Sequence, residues 1–222
     1  KFLHAHSIGR LVDRNDGAAA VPRSRCLPPP IFLPMSPSIM RPPTLALILA
    51  APFLSPAALG CTNVLVTPGA SSDGATSTIA YNADSANLVG QLYHYPSSSG
   101  QAGKTRKIFN WDTGVYLGDI PEADVTYNVV GNSNEHGLVI AETTFGGVEV
   151  LGPKNQPDGV LDYGSLIYVT LQRCRTAREA IETMSDLMDE HGYASSGESF
   201  SLADRTGEVW IMEVIGRGGF GG

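Results

Sequence analysis

Alternating apolar and polar positions begin at residue 61 and predict a β-hairpin. Residues 61–67 alternate, and residues 76–82 form a second run that is rich in Thr, Ile and Tyr. Between these runs, Pro68-Gly69 and Ser72-Asp73-Gly74 supply turn residues. The predicted hairpin therefore begins at Cys61.

The rest of the chain adds strands on either side of helices. A pair of strands is predicted at 126–130 and 138–143, and a last hairpin at 199–203 and 208–214. Residues 90–122 carry aromatic and turn-forming side chains without a regular period, so we expect them to be irregular. The order of strands, then helices, then strands favours a layered α+β domain.

Two helices are predicted, the first at about 163–173 and the clearer one after residue 175. Thr176 and Glu179 have the spacing of a capping box, and Gly192 stands where the helix should stop. By periodicity alone, residues 163–173 fit a helix or a strand equally well. The apolar residues of the predicted helix share one face: Ala177, Ala180, Ile181, Met184 and Met188.

The first 60 residues differ in character from the rest. Residues 1–39 are rich in Arg, His, Ser and Pro and lack an apolar period, so we expect an unstructured leader or upstream sequence that is not translated. Residues 40–60 have the order of a signal peptide, with Arg41, the apolar run 44–54 and small residues up to Gly60. A run of about ten apolar residues is too short to cross a bilayer. We therefore expect no stable membrane span after processing.

Cleavage after Gly60 would leave residues 61–222 as an incomplete mature domain that begins with Cys61. This route predicts an extracellular location, or a lytic or endomembrane compartment. Two alternatives stay open for the apolar run. It can be a buried strand or helix of the domain, or Ala58-Leu59-Gly60-Cys61 can be a bacterial lipoprotein acceptor site, whose lipid would block the thiol and the amine.

Charge and cysteine content exclude several classes of function. Six basic and two acidic residues precede Cys61, whereas nine basic and twenty acidic residues follow it. An acidic domain argues against nucleic acid as a partner. Without Cys26, the mature domain keeps only Cys61 and Cys174, so no disulfide framework is expected. No CxxC or HxxxH spacing occurs, and we expect neither a metal nor a cofactor.

An N-terminal cysteine combines a nucleophile with a base. A free thiol has a pKa of about 8.5 and is only partly ionised at neutral pH, and an α-amine with a pKa of about 7.7–8.0 can accept its proton. The amine can later return this proton to the leaving group. Such a site further requires a carboxylate to orient the amine and donors for the oxyanion.

Five stretches resemble the PepD-like cysteine dipeptidases, which are N-terminal-nucleophile hydrolases related to penicillin V acylase and bile salt hydrolase. The stretches are CTNVLVTPGASSDGATSTIAYNADS (61–85), KIFNWDTGVYLGDI (107–120), TYNVVGNSNEHGLVIAETTFGG (126–147), DYGSLIYVTLQRCRTAREAIETM (162–184) and GYASSGESFSLADRTGEVWIMEVIGRG (192–218). The resemblance implies an αββα sandwich, of which only the amino-terminal part is present. It also implies hydrolysis of small peptides through an acyl-enzyme.

By this resemblance Cys61 is the nucleophile and Asp84 is the carboxylate that holds its amine. The related acylases carry an arginine three residues before that aspartate. This chain has Tyr81 at that position. The lowering of the thiol pKa that the arginine provides in the acylases is therefore absent here or comes from another residue. Thr144 follows an Asn-Glu-x-Gly-Leu motif (134–138) by the spacing of the oxyanion donor of the acylases. The acylases complete the site with a later Asn and Arg, and this chain ends before them.

Each candidate also has a purely structural interpretation. Cys61 can be a buried apolar residue, Asp84 a turn or cap residue, and Thr144 a strand residue. We expect Cys174 to be buried and inert, and assign no histidine to the chemistry. Two other functions stay open: an amidase of the same fold acting on non-peptide amides, and a secreted or lipid-anchored domain without catalysis. No oligomeric state is predicted.

Overall fold

Antiparallel hairpins in the second half of the chain build the main sheet. The computed structural model describes residues 3–7 (backbone only), 61–84, 90–156 and 158–217, which belong to one compact unit. The strands are β1 (Leu3–Ser7), β2 (Thr62–Val66), β3 (Thr78–Asn82), β4 (His94–Tyr95), β5 (Thr105–Phe109), β6 (Tyr116–Pro121), β7 (Val129–Val130), β8 (Ser133–Asn134), β9 (Val139–Phe145), β10 (Gly197–Ala203) and β11 (Val209–Val214). Seven of them form one sheet in the order β1-β11-β10-β9-β8-β7-β4. The others form two separate pairs, β2-β3 and β5-β6.

Both hairpins predicted from alternation are confirmed. β2 pairs with β3 from Thr62↔Asn82 to Val66↔Thr78. β10 pairs with β11 around a turn in which Asp204 accepts hydrogen bonds from the backbone and hydroxyl of Thr206.

Two expectations for the middle of the chain are wrong. Residues 90–122 are not irregular, because they contain β4 and the β5-β6 hairpin. The strands predicted at 126–130 and 138–143 do not pair directly, because the short β8 lies between β7 and β9. Asn134 explains the insertion, since its amide donates to the carbonyls of Leu171 and Cys174, both at 2.7 Å. Such long-range bonds leave no periodic signal in the sequence.

Helix α1 (Tyr163–Leu171) resolves the ambiguous segment in favour of a helix. Asp162 caps it by accepting from the backbone N–H of Ser165 at 2.8 Å, and the Ser165 hydroxyl accepts from the Asp162 N–H at 3.0 Å. This reciprocal pair satisfies two donors that would otherwise be buried without partners. The sequence shows no clear helical period of apolar and polar residues here, because seven of the nine residues of α1 are buried.

Helix α2 (Ala177–His191) begins and ends as predicted, with one difference at its start. Thr176 accepts from the Glu179 N–H, but the Glu179 carboxylate accepts from the Arg175 N–H at 2.7 Å. The capping box is therefore only half formed. Gly192 ends the helix with a φ of +73°, a left-handed backbone conformation that favours glycine.

The core lies between the two helices and the main sheet. α1 packs against α2 and β9, and α2 packs against β11. Burying one large apolar side chain contributes about 1.5–3 kcal/mol, so this layer holds β9 and β10 firmly. Its central side chains are Ile140, Leu166, Val169, Met184, Phe200, Leu202 and Met212.

The leader contributes a strand that the sequence does not predict. β1 runs antiparallel along β11, from Leu3↔Val214 to Ser7↔Trp210. A strand edge offers unpaired N–H and C=O groups to any extended segment. The remaining leader and the predicted signal peptide lie outside the described residues. Within the described residues, no helix has the length and apolar character needed to cross a membrane.

Asp162→Ala should lower the free energy of unfolding by about 2–3 kcal/mol. The carboxylate also accepts from the backbone N–H of Trp111, so its loss removes the acceptor of that donor and of the buried Ser165 N–H. Urea unfolding of the full chain measures the effect. The matched control is Asp158→Ala, at an exposed carboxylate, with an expected change within about 0.5 kcal/mol. Equal losses in the two variants would contradict the capping role.

Candidate functional site

Cys61 lies at the open end of the first hairpin. It is partly buried and immediately precedes β2, whose first residue pairs with the last residue of β3, Thr62↔Asn82. Asp84 follows β3 by two residues, so strand pairing carries Asp84 to the same end of the hairpin as Cys61. The sequence-predicted nucleophile and carboxylate therefore share a local scaffold.

Two side chains tie this hairpin to the main sheet. Asn63 donates from its amide to the Ser201 hydroxyl at 3.0 Å, and the Tyr81 hydroxyl donates to Glu142 Oε1. Asn63 and Tyr81 are partners in the β2-β3 register, so both contacts come from one level of the hairpin. This level lies two residues from Cys61 along β2.

Tyr81 brings the thiol and the sheet together. Burial is the largest of the effects that raise its pKa far above the ordinary value, followed by its hydrogen bond to Glu142, the Glu142 charge, and interactions with Cys61 that include a side-chain hydrogen bond. Tyr81 thus links the strand that follows Cys61 to the carboxylate of Glu142. In the sequence, Tyr81 stands out only because it takes the position of an arginine in the related acylases.

Behind Tyr81, two carboxyl groups face each other inside the protein. Glu142 on β9 is 4% exposed and Glu198 on β10 is fully buried. Burial, together with a hydrogen bond to Glu142 and its charge, raises the pKa of Glu198 to about 10. At neutral pH, Glu198 is therefore protonated.

One proton completes the hydrogen bonding of this pair. Glu142 Oε1 accepts from Tyr81, and Glu198 Oε2 accepts from the Thr144 hydroxyl at 3.1 Å. The other two oxygens, Glu142 Oε2 and Glu198 Oε1, are buried without a partner when both groups are treated as bare acceptors. Because the pair is in hydrogen-bond contact, a proton on Glu198 Oε1 that is donated to Glu142 Oε2 satisfies both oxygens.

The side-chain contacts separate the three predicted site residues. Thr144 is exposed, and its hydroxyl donates to Glu198 at 3.1 Å. Asp84 accepts from the Asn82 amide. Cys61 is joined to residue 60 in this chain, so its nitrogen is an amide. A contact between Asp84 and a free amine can arise only after cleavage, and the roles of Asp84 and Thr144 stay predictions.

Sequence reasoning missed Glu142 and Glu198. Glu142 is an isolated acidic residue in a strand whose preceding residues, Ile140 and Ala141, are buried, and this pattern is a usable signal. Glu198 lies one residue outside the predicted strand 199–203. Its proximity to Glu142 depends on the β9-β10 register, in which Glu198 pairs with Thr144.

A cavity of about 340 Å³ lies beside the last residue of β9 and the first residue of β10. Phe145, which follows Thr144, and Gly197, which precedes Glu198, both line it. Further lining residues are Gly146, Leu151, Lys154 and Ile215. Mixed apolar and charged walls of this size suit a small organic ligand.

Cys174 matches its predicted inert role. Its side chain is buried, and the thiol donates to the Thr183 hydroxyl at 3.1 Å. Burial raises the pKa of this thiol to about 11, which keeps it protonated at neutral pH. Across the described ranges, no cluster of three or more His, Cys, Asp or Glu residues is arranged to hold a metal ion.

Glu198→Gln should make stability less dependent on pH. Because the folded pKa of Glu198 is raised, folding takes up a proton wherever the unfolded carboxyl is ionised. The wild-type free energy of unfolding therefore falls as pH rises from about 4.5 to about 10. This component is at most about 1.4 kcal/mol per pH unit. The glutamine amide can donate to Glu142 and does not titrate. As the pH rises, the free energy of unfolding of the variant should therefore increase relative to that of the wild type.

Urea unfolding at pH 5, 7 and 9 tests this difference. Glu182→Gln, at an exposed glutamate on α2, is the matched control and should follow the wild-type curve. A constant difference between Glu198→Gln and wild type at all three pH values would contradict the protonated state of Glu198.

Comparison with known proteins agrees with the resemblance seen in the sequence. Residues 60–221 match the profile of Peptidase family C69. A curated relative, "Dipeptidase" from Bifidobacterium longum (strain NCC 2705), is 27% identical over 183 residues, which cover 71% of this chain and 34% of the relative. The chain thus spans about a third of the length of that relative. No solved structure matches the chain. Because the family match covers most of the chain, the protein belongs to Peptidase family C69.

Proposed function

We propose that the chain, once processed to begin at Cys61, is the amino-terminal part of a cysteine-type dipeptidase. The observation that carries the proposal is the family match, which begins at residue 60, one residue before Cys61. The leader thus lies outside the family domain, and the thiol lies at its first residues. The name of the Bifidobacterium longum relative supports a dipeptide substrate.

In the proposed reaction, the Cys61 sulfur attacks the carbonyl carbon of the peptide bond. The thiol proton passes to the α-amine of Cys61, either directly or through one water molecule, and the amine then protonates the leaving amino group. The C–N bond breaks and a thioester remains on the sulfur. A water molecule gives its proton to the same amine and attacks the thioester, which releases the acid and restores the thiol.

Asp84 and Thr144 are proposed to assist this chemistry. A carboxylate at the open end of the hairpin can hold the newly formed amine of Cys61 after cleavage. Thr144 must exchange its acceptor, Glu198, for the oxyanion in order to donate to it. The cavity beside Phe145 and Gly197 is large enough for one of the two residues of a dipeptide.

The proposal also includes the architecture and the route of the protein. The helices and antiparallel sheet of the described residues are compatible with the αββα sandwich of N-terminal-nucleophile hydrolases, to which we assign the domain. Residues 40–60 are proposed to direct the chain into the secretory route. Removal of these residues is what creates the amine that the reaction requires.

Cys61→Ala should abolish hydrolysis of dipeptides by the purified native protein, because no other group can form the thioester. Turnover of a panel of unblocked dipeptides measures this loss, and penicillin V and a bile-salt conjugate provide the comparison substrates. Cys174→Ala is the matched control and should retain turnover, since its thiol is buried and bonded to Thr183. Retained hydrolysis in Cys61→Ala would contradict the mechanism. Preference for the acyl amides would identify an amidase instead.

A protein that keeps Gly60 should be inactive while its thiol stays present. The nitrogen of Cys61 is then an amide, which cannot accept a proton at neutral pH. Intact mass spectrometry establishes the first residue of each preparation, and kcat on the best dipeptide is compared between them. Unchanged kcat with Gly60 in place would eliminate the amine as the base. A lipid adduct on Cys61 would identify a lipid-anchored protein instead.

A further inference from the structure

We propose that the cavity beside β9 and β10 binds the carboxyl-terminal residue of the dipeptide, with its free carboxylate on Lys154 and an apolar side chain against the cavity wall. This assignment rests on the proposed function, which supplies the dipeptide as the substrate. It adds which end of the dipeptide enters the cavity and which kind of residue is preferred there.

The apolar part of the cavity wall favours an uncharged side chain. Val148 is 66% exposed, so a ligand in the cavity would remove apolar surface from water, which favours binding. The Phe145 ring lies against Gly197 so closely that a Cβ on Gly197 would come within 2.4 Å of it. Glycine at this position therefore leaves room for the ring in the wall. The apolar residues of the lining are Phe145, Val148, Leu151, Pro153 and Ile215.

Lys154 adds a positive charge to this wall. It is exposed and lines the cavity. Within the part of the chain that the structure describes, its ammonium group takes part in no hydrogen bond or ion pair. Glu149, the other charged residue of the lining, already has an interaction partner. An ammonium group without a carboxylate partner can form a charge-assisted hydrogen bond with an anionic ligand.

The backbone that carries Lys154 is fixed by local contacts and by the main sheet. Lys154 lies in a 3₁₀ turn, Pro153–Asn155. The next residue, Gln156, donates from its amide to the Leu151 carbonyl at 3.1 Å. The same amide packs on buried Gly216, where a Cβ would come within 1.7 Å of the amide nitrogen. Because Gly216 follows β11 by two residues, these contacts hold the cavity wall against the end of that strand.

The charges of a dipeptide decide which of its two residues enters the cavity. At neutral pH an unblocked dipeptide carries an ammonium group on its first residue and a carboxylate on its second. Lys154 attracts the carboxylate and repels the ammonium group. Phe145 of the lining directly follows Thr144, the proposed oxyanion donor. The residue after the scissile carbonyl therefore occupies the cavity, and an apolar side chain there is covered by the wall.

Calorimetric titration with alanyl-leucine and with its carboxyl-terminal amide tests the role of the charge. The Cys61→Ala variant of the processed native protein is used as the background, so that no peptide is hydrolysed. It should bind the acid about fivefold more tightly than the amide, as expected for one charge-assisted contact at a partly exposed site. Adding Lys154→Met should reduce this ratio to less than about twofold, whereas Lys154→Arg should keep it. Lys104→Met, at an exposed lysine outside the lining, is the matched control and should also keep it.

A second pair of peptides tests the apolar wall. In the same background, Val148→Ser should weaken the binding of alanyl-leucine about threefold, because less apolar surface is covered. The binding of alanyl-glycine, which has no side chain to cover, should change less than about 1.5-fold. Val115→Ser, at a valine that is 60% exposed and lies outside the lining, should change neither affinity. Circular dichroism verifies that each variant is folded.

Three results would overturn the inference: absence of peptide binding, equal affinity for acid and amide, or an acid-to-amide ratio that Lys154→Met leaves unchanged. Equal losses for both peptides in Val148→Ser would overturn the apolar preference. Binding requires no hydrolysis, so the two proposals fail separately. Turnover of dipeptides without the predicted binding pattern contradicts only the role of Lys154, whereas the binding pattern in a protein without turnover contradicts only the proposed function.

Discussion

The hydrogen bond between Tyr81 and Glu142 links the two parts of the molecule on which the site depends. Tyr81 belongs to the hairpin that carries Cys61, and Glu142 belongs to the buried centre of the main sheet. A buried acceptor that loses its hydrogen bond costs about 1–3 kcal/mol, and more when it is charged. Any displacement of the hairpin that breaks this bond would leave Glu142 Oε1 without its donor. This cost helps to hold in place a hairpin that a two-stranded sheet could not fix alone.

The position of Cys61 is thus determined by contacts that are distant in sequence. Residue 81 meets residue 142, and residue 142 meets residue 198. The apolar layer beneath α1 and α2 keeps β9 and β10 in register, and this register sets Glu198 diagonally opposite Glu142. Core packing therefore acts through these contacts on the hairpin that begins next to Cys61.

The sequence predicts the local elements well and the polar network poorly. The first hairpin, the start and end of α2 and the β10-β11 hairpin follow from alternation, capping and turn residues that lie within a few positions of one another. β8 and the partner of Tyr81 could not be predicted, because Asn134 and Glu142 find their partners about 40 and 60 residues away. Cys61 could be singled out as a candidate because cleavage and nucleophilicity are local properties. The residues that orient it are not local.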